Sequence, residues 1–143
     1  MIKEFEMLDT KEVMDIWLDA NIAAHSFIPQ EYWIDNYKVV EETYLPSSQT
    51  FVYQQANTIK AFISIVNGSF IGALFVSPEC QGKGIGKELI NYCKSIYSTL
   101  ELAVYSQNKS AVEFYKHCGF TIIAEQPNED SGFNEYIMSW VKK

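Results

Sequence analysis

A glycine-rich loop between an apolar run and an amphipathic run most constrains what this chain can fold into. The run Ser69–Val76 is almost entirely apolar, as expected for a β-strand that is covered on both faces. Glycines follow at positions 82, 84 and 86, and helical spacing then predicts a helix over about Gly84–Tyr97. At such a junction, free backbone N–H groups and the positive end of the helix dipole point at one place. The segment therefore predicts an anion site, to which Lys83 and Lys87 can add positive charge.

Two familiar phosphate-binding motifs do not fit this loop. The dinucleotide fingerprint G-x-G-x-x-G would require a glycine at Lys87. The P-loop pattern G-x-x-x-x-G-K-S/T would require glycine at Gln81 and serine or threonine at Glu88. An anion site here would be of another type, and a glycine-rich turn without any ligand stays open as the alternative.

Apolar spacing and turn residues predict the other elements. Ile2–Glu6 is predicted as a strand, Thr10 as the N-cap of a first helix, and Pro46 as the stop of a second helix. The segments 56–58 and 67–68 are predicted as hairpin turns. Further strands are predicted at Thr50–Gln54, Ile59–Val66, Leu100–Tyr105, Phe120–Glu125 and Glu135–Val141, with a short helix that Gly119 ends. The helix after the loop is predicted to bury Ile85, Leu89, Cys93 and Ile96. The order β-α-α-β-β-β-α-β-α-β-β predicts one α/β domain over residues 1–143 with one central sheet.

Charge and cysteine content exclude several classes of protein. The net charge is −7 and the chain has no arginine, which argues against a nucleic-acid partner. No run approaches the roughly 18 apolar residues of a membrane helix, and the charged start MIKEFEMLD is not typical of a signal peptide. Three cysteines without C-x-x-C spacing favour free thiols and a cytoplasmic location over disulfides or zinc.

Two motifs resemble the GNAT superfamily of acetyl-CoA-dependent N-acetyltransferases. The segment Gln81–Gly86 matches that family's Q/R-x-x-G-x-G/A signature, and Leu74–Pro78 is similar to the strand that leads into it. The pattern N-x-x-A-x-x-F-Y-x-x-x-G-F at Asn108–Phe120 resembles the second family hallmark. The segments His25–Ile28 and Met138–Trp140 are similar to a small bacterial subgroup that includes protein-lysine acetyltransferases.

This resemblance implies a fold and a cosubstrate. The implied fold is a single GNAT domain with a mixed, mostly antiparallel sheet of about seven strands, flanked by helices and splayed between strands four and five. Acetyl-CoA would lie in the gap, with its pyrophosphate on the loop amides and no metal involved, and the N–H near Val76 would stabilise the oxyanion. The implied cofactor-binding residues are Leu74, Phe75, Val76, Gln81, Gly82, Lys83, Gly84, Ile85, Gly86, Lys87, Asn108 and Tyr115.

Tyr115 is the catalytic candidate that the resemblance implies. A phenol can protonate a leaving thiolate as a general acid. Its spacing with Ala111, Phe114 and Cys118 is also that of an ordinary buried helix face, so a purely structural role is the alternative. Asn108 precedes the same helix and is open to two compatible roles, as N-cap and as a contact of the CoA arm.

The general base and the amine-binding side are less constrained. Many relatives carry a glutamate on the fourth strand, but Ser69–Val76 contains no acid, so Glu101, His25 or a chain of waters remain candidates for the base. His25, Phe27 and Phe70 are candidates for the acceptor side, with plain packing as the alternative for each.

The distribution of charge suggests the kind of acceptor. Residues 1–45 hold ten acidic residues and three lysines, which equals the whole net charge of −7. A negative mouth would attract a cationic amine, such as a lysine side chain, an N-terminal amine or a small polyamine. The alternative is that Asp9, Glu12, Asp15 and Asp19 are only the solvated face of a helix.

We expect a monomer or homodimer. The second functional hypothesis is a non-catalytic sensor that binds CoA or acyl-CoA. A third hypothesis, a toxin that acts on charged tRNA, is disfavoured because the chain is acidic and has no arginine.

Overall fold

The chain folds around one mixed β-sheet in a computed structural model that describes residues 1–143. The strands are β1 (Ile2–Glu4), β2 (Gln49–Gln55), β3 (Thr58–Val66), β4 (Phe70–Val76), β5 (Thr99–Tyr105), β6 (Thr121–Pro127) and β7 (Asn134–Val141). They lie in the order β1-β2-β3-β4-β5-β7-β6, and only β4 and β5 run parallel. The prediction of a mostly antiparallel seven-stranded sheet is confirmed.

Four α-helices flank this sheet. They are α1 (Thr10–Ala24), α2 (Gln30–Val39), α3 (Ile85–Ile96) and α4 (Lys109–His117). Helix α2 continues into a π-helical turn at Val40–Tyr44, and single 3-10 turns precede α1 at Met7–Asp9 and follow β4 at Pro78–Cys80. The order of strands and helices therefore agrees with the order predicted from the sequence.

Two hydrophobic clusters cover opposite faces of the sheet. Helices α3 and α4 contribute to the first cluster, and α1, the loop after it and α2 contribute to the second. Strand β3 contributes to both in alternation, because Ala61 and Ile63 belong to the first cluster and Phe62 between them belongs to the second. The core is thus a helix layer on each face of one sheet.

Both predicted hairpin turns are present. Ala56 and Asn57 take φ of 52° and 63° between β2 and β3, so the turn has two residues and Thr58 already belongs to the strand. Asn67 and Gly68 take φ of 53° and 78° between β3 and β4. Positive φ at both central residues matches the type of two-residue turn that fits strand twist.

Strands β4 and β5 separate soon after they meet. Their parallel pairing comprises only Phe70 with Glu101 and Ile71 with Leu102. Gly72 is an extra residue in β4 against β3, since Ile71 pairs with Ile65 and Ala73 with Ser64. Such a bulge bends its strand, and the implied splay between strands four and five is confirmed.

Strand β4 contacts a cluster on each face, as predicted, since Leu74 and Val76 pack on the first cluster and Phe75 on the second, but its burial is incomplete. Only Ile71 of this strand is fully buried, and the others are half-buried or exposed. The reason is that the strand borders the gap left by β5, and every residue from Phe70 to Val76 lines a cavity there. The apolar residues of β4 therefore form part of the cavity wall as well as part of the core.

Two details of the helices also differ from the prediction. The N-cap of α1 is Asp9 and not Thr10, because the 3-10 turn runs directly into the helix and Thr10 Oγ1 donates to the Met7 carbonyl at 2.8 Å. On α3, Ile96 is 51% exposed at the last helical residue, whereas Ile90 is fully buried. The buried face is thus the wider stripe of positions i, i+4, i+5 and i+8.

None of the four helices combines the length and the apolar character that crossing a lipid bilayer requires.

The contrast between two positions of α3 gives a test of the core. Leu89 is fully buried in the first cluster, so Leu89→Ala should lower the free energy of unfolding by about 2–5 kcal/mol. Ile96→Ala on the same helix should lower it by about 1 kcal/mol or less, because that side chain is half in water. Urea denaturation measures both values. Equal losses would contradict the placement of Ile96 outside the core.

Candidate active site

One cavity of about 760 Å³ lies where β4 and β5 separate. Its walls include Trp17 and Trp33 from the second cluster and Ile85 and Leu102 from the first. The cavity therefore connects the two faces of the sheet. Its size falls within the roughly 300–1,000 Å³ typical of small-molecule sites.

The glycine-rich loop forms one wall of this cavity. Gln81 fixes the loop to the end of β4, because its Nε2 donates to the Val76 carbonyl at 3.1 Å. Gly84 has φ of 82°, which favours glycine, and it begins α3 without a side-chain cap. The first hydrogen bond within α3 runs from the Glu88 N–H to the Gly84 carbonyl, so the three N–H groups of residues 85–87 have no partner in the helix. The predicted cradle of free amides is present, with Lys87 beside it.

Gly86 lets α3 pack closely against α4. A Cβ atom at this position would lie 3.2 Å from Cζ of Phe114 and 3.7 Å from a methyl group of Val76. The third glycine of the loop thus serves helix packing, whereas Gly84 serves the backbone turn.

Tyr115 is buried on α4 and lines the same cavity. Its ring packs edge-on against Phe114 and Phe120, at centroid distances of 5.2 and 5.8 Å. Burial raises the pKa of the phenol above its ordinary value of 10.0. The ring therefore belongs to the core, as the structural alternative expects, and the side chain also lines the cavity, where a general acid would have to lie.

Asn108 connects α4 to the loop after α1. Its Oδ1 accepts from the Ala111 N–H at 3.3 Å, which makes it the N-cap of α4. Its Nδ2 donates to Nε2 of His25 at 3.1 Å. Because the cap fixes which end of the amide faces His25, Nε2 must be the acceptor and the ring proton of neutral His25 lies on Nδ1.

His25 is held in an aromatic environment. Its ring stacks on Trp33 and lies edge-on to Tyr105, with both centroids at 5.2 Å. Burial lowers the pKa of His25 below 6.5. Nδ1 of His25 and Nε1 of Trp33 have no hydrogen-bond partner in the protein. In this arrangement neutral His25 has no free lone pair for the base role considered above.

Most of the predicted site residues come together in this cavity. Those that line it are His25, Phe70, Leu74, Phe75, Val76, Gln81, Gly82, Gly84, Ile85, Gly86, Lys87, Asn108 and Tyr115. Lys83, Phe27 and Glu101 do not line it. Lys83 is exposed on the loop, and the Phe27 ring packs behind the wall against His25, Tyr105 and Phe133. Glu101 is exposed on β5, so the structure does not place this base candidate in the cavity.

Sequence reasoning missed several polar residues of the cavity. Asn21 and Glu135 are buried, Asn128 is half-buried, and all three line the cavity. Nothing in the local sequence separates Glu135 from the other acids of the chain, because its place follows from pairing with Tyr105 across β5 and β7. The sequence around Asn21 predicts a helix but no site, and the structure places Asn21 on the buried face of α1.

The acidic residues of α1 do not form the mouth of the cavity. Asp9 contacts Lys3 at 3.2 Å, Asp15 contacts Lys11 at 3.0 Å, and Glu12 accepts from the Ile59 N–H at 3.1 Å. None of them, nor Asp19, lines the cavity. Glu12, Asp15 and Asp19 are exposed, which agrees with the alternative of a solvated helix face, whereas Asp9 is half-buried.

The environment of His25 predicts a pH dependence of stability. Because its pKa is lower in the folded protein, the unfolded chain binds a proton more readily, and stability should fall as the pH drops below about 6.5. His25→Gln should make the free energy of unfolding depend less on pH. The slope should decrease by less than ~1.4 kcal/mol per pH unit, which is the most that one titrating group contributes. Urea denaturation across this pH range measures the slope. His117→Gln, at an exposed histidine, is the control, and a wild-type slope in His25→Gln would contradict the prediction.

Comparison with known proteins agrees with this geometry. The sequence profile of the Acetyltransferase (GNAT) domain matches residues 24–142. Peptidyl-lysine N-acetyltransferase YiaC of Escherichia coli (strain K12) is 33% identical over 140 residues, which are 98% of this chain and 96% of that protein.

Solved structures share the whole fold. The solution structure of apo YjaB from Escherichia coli superposes with a TM-score of 0.86 at 25% identity, covering 100% of this chain and 98% of that one. The crystal structure of the PaiA N-acetyltransferase of Thermoplasma acidophilum in complex with coenzyme A has a TM-score of 0.83 at 19% identity, covering 99% and 98%. With the profile match over most of its length, this chain belongs to the GNAT family of acetyltransferases.

Proposed function

We propose that this protein transfers the acetyl group of acetyl-CoA to the primary amine of a lysine side chain in a ternary complex. The observation that carries the proposal is the cavity between β4 and β5, which opens toward both faces of the sheet. A thioester entering from one face and an amine from the other can meet there without a covalent enzyme intermediate.

The cosubstrate would enter from the face of α3 and α4. The free amides of residues 85–87 and the Lys87 ammonium suit a pyrophosphate. Beyond Ile71 the edge of β4 has no strand partner, so its backbone groups are available to the amides of a pantetheine arm. The PaiA structure, which shares the fold, contains coenzyme A.

Tyr115 would act as the general acid. The acceptor ammonium first loses a proton to solvent. The neutral amine nitrogen then bonds to the thioester carbon, the backbone N–H near Val76 stabilises the oxyanion, and the carbon–sulfur bond breaks. Tyr115 gives its proton to the leaving sulfur and regains one from solvent, while the second proton that nitrogen loses also passes to solvent. The ordinary pKa of a tyrosine phenol is about 10 and burial raises it further, so the group is protonated at neutral pH, as this role requires.

The choice of lysine as acceptor is supported by the name of the relative YiaC, a peptidyl-lysine N-acetyltransferase. The net charge of −7 also favours a cationic acceptor over a polyanion. We further propose a cytoplasmic location, supported by three free and buried cysteines.

A panel of amines tests the function. The protein is mixed with acetyl-CoA and with Nα-acetyl-lysine methylamide, a lysine-containing peptide or spermidine, and free thiol is followed together with the acetylated product by mass spectrometry. We expect transfer to the lysine compounds. Binding of acetyl-CoA without thiol release across the panel would instead support the sensor hypothesis.

The role of Tyr115 can be tested by removing one oxygen atom. Tyr115→Phe should lower kcat by roughly 10²-fold while leaving the affinity for acetyl-CoA unchanged. The fold should tolerate the change, because the aromatic contacts remain and the hydroxyl makes no hydrogen bond within the protein. Tyr92→Phe, at a tyrosine outside the cavity that packs on Phe51, is the matched control. An unchanged kcat would assign Tyr115 to packing alone.

The loop can be tested with a pair of variants of equal size. Asparagine tolerates the left-handed backbone of Gly84, whereas aspartate of the same shape adds a negative charge. Gly84→Asp should bind coenzyme A about tenfold or more weakly than Gly84→Asn, because like charges near 4 Å repel by about 1–4 kcal/mol. Calorimetric titration measures the ratio. Equal affinities of the two variants would mean that the pyrophosphate binds elsewhere.

A further inference from the structure

We propose that Glu135 is the carboxylate that binds the positively charged amine of the acceptor; this rests on the proposed acetyltransferase function. Glu135 is only 8% exposed, and it is the only acidic side chain that lines the cavity. All four salt bridges of the structure lie elsewhere. A buried carboxylate without a cation is strongly unfavourable, and an ammonium group in the cavity would supply the missing charge.

Neutral hydrogen bonds hold this carboxylate in one orientation. Asn128 Nδ2 donates to Oε1 of Glu135 at 2.8 Å, and Gln126 Nε2 donates to Oε2 at 3.0 Å. Asn128 is itself fixed, since its Oδ1 accepts from the N–H groups of Asp130 and Ser131 at 3.0 Å each. Two amides orient the carboxylate without neutralising it, and each oxygen keeps a further lone pair for a ligand.

The register of the sheet places Glu135 on the face away from the glycine-rich loop. Glu135 lies directly opposite Tyr105, and opposed residues of paired strands point to the same face. Tyr105 packs against the second cluster and against His25. Lys87 and the free amides of α3 lie on the other face, so the cavity has positive groups toward one face and a carboxylate toward the other. An anionic thioester and a cationic amine would thus enter from opposite faces.

The walls near Glu135 fit the chain that carries such an amine. Tyr105 lies opposite Glu135, Trp33 is linked to Tyr105 through the His25 ring, and both line the cavity with aromatic surface. The four methylene groups of a lysine can pack on apolar surface while the ammonium group keeps a polar partner. A lysine side chain therefore fits this wall better than a short or strongly hydrated amine.

A change of charge without change of size tests the proposal. Glu135→Gln should raise the KM for Nα-acetyl-lysine methylamide roughly tenfold or more, since one partner of a buried charge pair is lost. The KM for acetyl-CoA and the inhibition constant of Nα-acetyl-norleucine methylamide, which lacks the amine, should not change. Glu125→Gln is the matched control, because Glu125 is an exposed carboxylate of the same hairpin.

Two outcomes would overturn the proposal. An unchanged lysine KM would mean that Glu135 does not contact the amine, and an equal loss for the lysine and norleucine compounds would mean that it only shapes the hairpin. Absence of transfer by the wild type to every amine would overturn the proposed function instead.

A binding comparison in the wild type needs neither turnover nor a folded variant. With coenzyme A bound, Nα-acetyl-lysine methylamide should bind at least roughly tenfold more tightly than the norleucine compound by calorimetry. Equal affinities would overturn the role of Glu135 even in an inactive protein.

Discussion

The loss of pairing between β4 and β5 is the constraint on which the rest of the structure depends. Each strand is anchored on its outer side, β4 by β3 and β5 by all seven of its residues paired with β7. The bulge at Gly72 bends β4, so both strands stay ordered although they share only two residue pairs. Backbone groups along an open inner edge need water or a ligand as partner. The same feature that opens the sheet therefore prepares it for a polar, extended ligand.

A second constraint couples the two sides of this opening. Asn108 caps α4, which carries Tyr115, and the same side chain donates to His25 at the end of α1. The amide cannot turn over without losing one of these contacts, since each end suits only one partner. The position of the helix with the proposed acid is thereby tied to the aromatic wall where an acceptor would lie. Substitutions on the acceptor side can be expected to influence the helix through this one residue.

Features that depend only on neighbouring residues could be predicted from the sequence. The glycine-rich loop and both hairpin turns follow from residues next to one another, and the family motifs located most of the cavity. The failures concern contacts between distant segments. Glu135 reaches the cavity through its register with Tyr105, and His25 becomes an acceptor through Asn108, 83 positions away. The incomplete burial of β4 was missed for the same reason, because its apolar run cannot show that the neighbouring strand departs.

The charge of the cavity shows why the distribution of charge along the sequence did not locate the group that would bind the acceptor. The acidic residues of α1 lie in water, where their fields are screened within about 8–10 Å at physiological salt. They can influence how a charged ligand approaches the protein, but they discriminate little between acceptors at the reacting centre. A carboxylate removed from water acts through a lower effective dielectric, and its interaction with an ammonium group is correspondingly stronger. Glu135 belongs to the part of the chain whose charges cancel, so the group best placed to recognise a cation is one that the charge distribution along the sequence could not reveal.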